Sequence, residues 1–214
     1  MKIEISFHEA AMIFNLSDYS PNSVYHLMTQ TVIPRPVAWI LTENSSGNHN
    51  LAPFSYFTAL CSDPALIVIS VGKKDKDTPK DTRKNILERK SFVVHIASSS
   101  AAEAMTASAA TLDYAESEIE LTGEKLVEFE GSALPRLESC KVAMLCELYD
   151  SHNVGPNEQA VIYGEVKKIY VEDDAVSVDG KRISVDAKAL DPISRLGGAQ
   201  YGFLGEIKEV KRPA

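Results

Sequence analysis

Cysteine is scarce in this chain and shows no pairing pattern: Cys61, Cys140 and Cys146 are the only three in 214 residues. An odd, dispersed set without CxxC spacing excludes a disulfide scaffold and a zinc or thioredoxin-like motif, and reads instead as reduced thiols packed as small hydrophobes. Long apolar runs are missing too. Stretches such as residues 65–71 fall far short of the ~20 residues that span a bilayer. Residues 1–9 (MKIEISFHE) mix acids into the apolar positions, which is not the core of a signal peptide. A cytoplasmic protein without a membrane partner is expected. Positive charge is in deficit, with 22 Lys and Arg against 30 Asp and Glu and a net charge of −8. Counterion release and phosphate contact both need excess cations, so no nucleic-acid partner is expected. The five histidines, His8, His26, His49, His95 and His152, form no HxH or HExxH spacing, and no metal site is expected. There is no GxSxG elbow for triad hydrolysis. The Gly-rich segment 196–205 does not fit GxGxxG, and no strand-helix unit surrounds it.

What the chain does have is a succession of short strands. With 44% hydrophobic residues it can bury one large core, and a single domain is expected over residues 1–214, its core at about 20–205. Ser20-Pro21-Asn22 has helix-start chemistry ahead of residues 23–30. Residues 37–41, 51–54, 66–71 and 92–96 read as strands, and residues 43–48 have the composition of a hairpin loop. A helix is expected over 81–90, with Asp81 as its N-cap and basic residues at its end. Alanine-rich residues 101–110 suggest a second helix, with Ser99 or Ser100 as cap. Residues 111–135 are acidic and read as surface cover. Residues 140–149 and 160–170, parted by a loop at 150–158, suggest a hairpin that closes a barrel, and Asp179-Gly180 marks another hairpin within 176–183. Strands outnumber helices, so the fold reads as mostly β, a barrel with a few short helices rather than a βαβ sheet.

One basic island interrupts the acidic background. Between residues 73 and 90 there are eight cations (Lys73, Lys74, Lys76, Lys80, Arg83, Lys84, Arg89, Lys90) against four acids (Asp75, Asp77, Asp81, Glu88), a balance of +4. Two readings fit it: a solvated loop and helix face, or a phosphate site at a helix N-terminus furnished by Thr78, Lys80 and Thr82.

The most informative motifs come earlier. Pro34-Arg35-Pro36-Val37-Ala38-Trp39 stiffens the entry to a strand and is followed by Asn50-Leu51-Ala52-Pro53-Phe54-Ser55-Tyr56-Phe57, then Asp63-Pro64, Lys80-Asp81-Thr82-Arg83-Lys84-Asn85-Ile86 and Arg195-Leu196-Gly197-Gly198-Ala199-Gln200-Tyr201. In this order and spacing, over about residues 34–201, the chain resembles the flavin reductase-like family, in its flavoredoxin-like branch. The resemblance implies an FMN-binding split β-barrel of Greek-key type, a homodimer, and hydride transfer from nicotinamide C4 of NAD(P)H to flavin N5, with reduced flavin passing to a monooxygenase or redox-protein partner. It also leaves open an electron carrier that keeps FMN without NAD(P)H turnover, or a flavin-free relative.

The cofactor-binding candidates that the resemblance implies are Arg35, Pro36, Val37, Ala38, Trp39, Asn50, Leu51, Ala52, Ser55, Tyr56, Phe57, Ser70, Lys80, Thr82, Asn85, Arg195 and Tyr201. No catalytic acid or base is among them, because hydride transfer between cofactors needs orientation rather than proton transfer. Backbone N–H groups of Ala38 and Ala52 suit a flat ring approaching a strand edge. Trp39 is either a wall of the site or plain core, since period-2 alternation turns it away from Ala38. Arg35 is either a surface cation or a flavin or phosphate contact. Asn85 ties its helix to a strand or meets the ribityl chain. Arg195 and Tyr201 either pack a C-terminal loop on the barrel or lie near the cofactor, and His152, in the expected loop, is a surface residue or a contact for nicotinamide or a second flavin.

Overall fold

The computed structural model describes residues 12–114 and 116–213. The reading of residues 1–9, and His8 with it, lies outside the described residues. A 3-10 turn at Leu16–Asp18 leads to α1 (Pro21–Thr31), whose N-cap Ser20 accepts from Ser23 N–H at 3.2 Å with Pro21 at the first helical position, the start chemistry expected from the sequence. Then come β1 (Arg35–Pro36), β2 (Ala38–Glu43), β3 (His49–Phe54), β4 (Phe57–Ser62) and β5 (Ala65–Val71). Next are α2 (Asp81–Arg89), β6 (Ser91–Ile96), a 3-10 turn at Ser99–Ala101, α3 (Ala102–Ala107), α4 (Glu118–Thr122), β7 (Leu126–Val127) and β8 (Arg136–Leu137). The long pair β9 (Val142–Val154) and β10 (Gln159–Val171) follows, and after it a 3-10 turn at Asp173–Ala175, β11 (Val176–Asp179), β12 (Arg182–Val185), α5 (Ala187–Leu190), β13 (Ser194–Arg195) and β14 (Tyr201–Gly202).

Seven of these strands form one antiparallel sheet in the order β3-β2-β6-β9-β10-β5-β4. Its inner strands β2 and β6 are buried on both faces. On β2, Trp39 and Leu41 join one core cluster with Val93, Met105, Leu137 and Ile193, while Ala38 and Ile40 join a second with Ile69, Phe92, Val94 and Ile162, as the two-residue period requires. The second cluster holds Phe54 of β3 together with Ile67 and Ile69 of β5, and Phe57 of β4 packs against it. Strands at opposite ends of the sheet reach a common core, so the sheet curls around it. Its outer strands β3 and β4 are not hydrogen-bonded to each other, which makes the barrel split, the mostly β architecture the motifs imply. Gly164 on β10 leaves room for the interior: a Cβ there would come within 2.6 Å of Phe92 Cζ. Gly164→Ala is therefore expected to destabilise by about 1 to 3 kcal/mol, read from a chemical-denaturation midpoint; an unchanged midpoint would contradict the packing argument.

Four local expectations are corrected. The N-cap of α2 is Lys80, and Asp81 sits one residue inside, where its carboxylate pairs with Lys74 Nζ at 2.8 Å rather than capping. The second helix is shorter than 101–110 and lacks a serine cap, because its chain first turns through the 3-10 segment. Residues 111–135 are not only surface cover: Glu118, Phe129 and Leu134 are buried, the two apolar ones in the core. The expected loop at 150–158 is largely strand, since β9 and β10 pair out to Val154 and Gln159. His152 thus stands on β9, exposed and stacked on Tyr163 at 5.6 Å between ring centroids. At the Asp179-Gly180 hairpin, Gly180 takes φ +59° in the two-residue turn between the paired residues Asp179 and Arg182, where a positive φ favours glycine.

Candidate functional site

At the open seam of the barrel lies a cavity of about 500 Å³. β3 and the two residues that link it to β4 provide one wall through Asn50, Ala52, Pro53, Phe54, Ser55 and Tyr56, and the end of β5 with the residue after it another through Ser70 and Gly72. The start of α2 adds Lys80, Asp81 and Thr82; residues 108–112, after α3, close a side. Lys74, Glu118 and Gln159, with Val37, Met105, Tyr25 of α1, and Arg195 and Tyr201 from the C-terminal segment, complete it. Pieces from residue 25 to residue 201 therefore meet at one place.

The edge of β3 beside this cavity is managed residue by residue. Leu51 N–H points away from β2 and is accepted by Glu118 Oε2 at 2.9 Å, while Ser117 Oγ donates to His49 C=O at 2.5 Å. Pro53, two residues on, has no N–H to leave unpaired, which is the edge position a strand proline tolerates. Because alternate residues of an antiparallel strand face alternate sides, the N–H groups of Asn50, Ala52 and Phe54 face β2. The register pairs Ala38 with Phe54 and Ile40 with Ala52. The backbone donors expected of Ala38 and Ala52 are thus engaged in the β2–β3 ladder. Burial holds the Glu118 carboxyl above its ordinary pKa, against the pull of the Leu51 N–H.

Behind the wall runs a buried polar chain. Asn50 Nδ2 donates to Thr82 Oγ1 at 2.9 Å and contacts Thr42 Oγ1 at 3.3 Å; Asn85 Nδ2 donates to Thr42 Oγ1 at 3.0 Å and Asn44 Oδ1 at 2.8 Å. This chain fastens α2 to the β2–β3 hairpin, so of the two roles open to Asn85 the structure shows the tie to a strand. The first-turn N–H groups of α2, unpartnered within the helix, thereby stay fixed beside the cavity.

Of the residues singled out from sequence, Val37, Asn50, Ala52, Ser55, Tyr56, Ser70, Lys80, Thr82, Arg195 and Tyr201 line the cavity. Arg35, Pro36, Ala38, Trp39, Leu51, Phe57 and Asn85 do not. Arg35 is not a surface cation. Only 6% exposed, it donates to the carbonyls of Thr29 (2.5 Å), Val32 (2.6 Å) and Leu196 (2.9 Å) and approaches Ser55 Oγ at 3.4 Å. Trp39 is core, its indole N–H on Ser108 Oγ at 2.8 Å; Ala38 and Leu51 are core as well, Phe57 packs on the barrel interior, and Pro36 is exposed. Arg195 lies over the Tyr201 ring, and Tyr201 Oη meets Thr106 Oγ1 of α3 at 2.9 Å, so this segment both packs on the fold and borders the cavity. Thr78 is exposed in a turn whose N–H groups Asp75 accepts.

Sequence reading missed Tyr25, Lys74, Met105, residues 108–112, Glu118 and Gln159, all of which line the cavity. Lys74 was visible only as one cation in the basic island; the others carry no local signal. The set suits a ligand with an anionic end, a hydroxylated middle and a flat body. Cations and helix N–H groups gather at α2, with Asp81 neutralised by Lys74; hydroxyls and amides lie between, including Ser70 Oγ bonded to Gln159 Nε2 at 2.9 Å; Val37, Phe54 and Met105 supply apolar surface. A phosphorylated flavin fits that sequence of environments. Among the described residues no group of three or more His, Cys, Asp or Glu is placed to hold a metal, and no helix is long and apolar enough to cross a membrane.

Comparison with known proteins places the chain in a family. An uncharacterised protein of Halalkalibacterium halodurans is 36% identical over 206 residues, covering 94% of this chain and 97% of its own. The crystal structure of nitrilotriacetate monooxygenase component B from Bacillus cereus matches with a TM-score of 0.87 at 33% identity, over 95% of this chain and 100% of that one. The 2-nitrobenzoate 2-nitroreductase NbaA of Pseudomonas fluorescens matches at 0.83 and 30% identity, over 94% and 96%. The model of the flavin reductase like domain matches residues 28–182, and with the ordered motifs and the split barrel this makes the chain a member of the flavin reductase-like family.

Proposed function

We propose that this protein binds FMN and reduces flavin with electrons from NAD(P)H. The observation that carries the reading is the meeting, in one cavity, of an anion-binding helix start and apolar walls. Lys80, the Thr82 hydroxyl and the first-turn N–H groups of α2 would hold the phosphate. Asn50, Ser55 and Ser70 would take the hydroxyls and polar ring edge, and Val37, Phe54 and Met105 would cover the ring. When bound, the flavin supplies the hydride-accepting chemistry. This chain's residues bind it, orient it and keep water from its buried side; none needs to act as acid or base. Tyr25 and Tyr56, partly exposed where they line the cavity, offer a stacking surface for nicotinamide, which has no dinucleotide fold of its own here.

Similarity to a monooxygenase component B supports handing reduced flavin to an oxygenase partner. Exposed Met28, Val32 and Ile33 along and after α1 support burial against a second copy in a homodimer. Titrating the purified protein into FMN is expected to quench flavin fluorescence to saturation, and NADH or NADPH with FMN should be oxidised at a turnover on the order of 10 per second. Saturable FMN binding with no NAD(P)H oxidation would replace this reading with the electron-carrier one. The absence of both binding and oxidation would overturn it.

A further inference from the structure

One wall of the cavity has no regular structure. Between Ser108 and Ser117, residues 109–114 are exposed or half-buried, yet both flanks are pinned by buried bonds. At one flank Ser108 Oγ accepts the Trp39 indole N–H at 2.8 Å. At the other, Ser117 and Glu118 hold the β3 edge at His49 and Leu51. Between those pins two cations touch the strap: Lys84 Nζ lies 3.6 Å from the centre of the Tyr114 ring, and Lys74 Nζ donates to Leu112 C=O at 2.8 Å.

Lys74 differs from Lys84 in where else it reaches. The same ammonium pairs with Asp81 Oδ2 at 2.8 Å, at the first residue of α2, and Lys74 itself lines the cavity. An ammonium carries three donors and no acceptor. Two are engaged, one on the strap and one on α2, which aims the group and leaves a third N–H for a partner. With Leu112, Lys80, Thr82 and Asp81 lining the same cavity, a phosphate at the α2 N-terminus would be that partner.

We infer that Lys74 is a phosphate-sensing latch, a specificity-determining residue that ties residues 109–114 to the phosphate of a bound flavin mononucleotide. Phosphate and strap then share one ammonium, so a phosphorylated flavin holds the strap closed and an unphosphorylated flavin does not. The inference rests on the reading of this cavity as a flavin site, and it adds that Lys74 discriminates FMN from riboflavin.

The test compares FMN with riboflavin on wild-type protein and on Lys74→Met, which keeps the aliphatic stem and removes the donors. Lys74→Met should weaken FMN at least tenfold while riboflavin affinity stays within threefold, the latter also showing that the variant is folded with its ring site intact. In wild type, FMN but not riboflavin should slow hydrogen exchange at residues 109–114, and Lys74→Met should abolish that protection; Lys74→Arg should restore part of it. Tight FMN binding by wild type with an unchanged FMN-to-riboflavin ratio in Lys74→Met, or with equal strap protection in the variant, would overturn the latch alone. If wild type binds neither flavin, the flavin reading falls and the latch with it.

Discussion

Arg35→Ala is expected to cost about 3 to 5 kcal/mol of stability, more than most single substitutions. The guanidinium is nearly buried and bonds carbonyls from three places: Thr29 in the last turn of α1, Val32 just after it, and Leu196 in the Gly-rich C-terminal segment. Removing it leaves buried acceptors unsatisfied, each worth about 1 to 3 kcal/mol, and removes a cation that suits the negative end of α1. A part of that cost is returned because a buried charge no longer has to be desolvated. Arg35→Lys should recover little of the loss, since one ammonium cannot copy a planar fork aimed at carbonyls from separate segments. Urea midpoints of both variants measure this, with hydrogen exchange at residues 196–201 reporting whether the segment carrying Arg195 and Tyr201 loosens. Arg35→Lys within about 0.5 kcal/mol of wild type would show that charge, and not the fork, matters.

The second large effect is on stability against acid. His95 is fully buried; its Nε2 accepts from Leu137 N–H at 3.0 Å, so its proton sits on Nδ1, facing Trp39 C=O at 3.1 Å. Protonation would set a second N–H against the Leu137 N–H, and burial already lowers this imidazole from 6.5 to about 4. The sign follows from proton counts: between those values the unfolded chain binds a proton that the folded one refuses, so stability falls as pH drops. It is intact above about 6.5 and lost by about 4, and 2.5 units at 1.36 kcal/mol each give about 3 kcal/mol. His49, also lowered by burial, adds in the same direction. Asp75 and Glu158, held low by the N–H groups of Asp77 and by Lys73, act only at more acidic pH. His95→Gln should therefore be less stable at pH 7.5 but show a clearly flatter pH dependence between 6.5 and 4. An equally steep slope in His95→Gln would assign the acid loss elsewhere.

Wherever the physics is local or periodic, the amino-acid order was sufficient. β-branched and aromatic runs between turn formers marked β2, β3, β5 and β6 to within a few residues, and Ser20-Pro21 marked the start of α1. The motif order pointed to the family that the domain match then showed. It erred where one residue's chemistry has two uses: Asp81 has the composition of a cap, yet Lys74, seven residues earlier, engages its carboxylate. What only the tertiary structure decided is which residues meet. Glu118 reaches Leu51 N–H from 67 positions away, and Trp39 reaches Ser108 from 69; no period of 2 or 3.6 encodes such pairings. The first exists because the outer strand β3 leaves an edge needing partners at the seam, the second because a buried indole N–H needs an acceptor, and the chain that supplies both becomes a wall of the cavity.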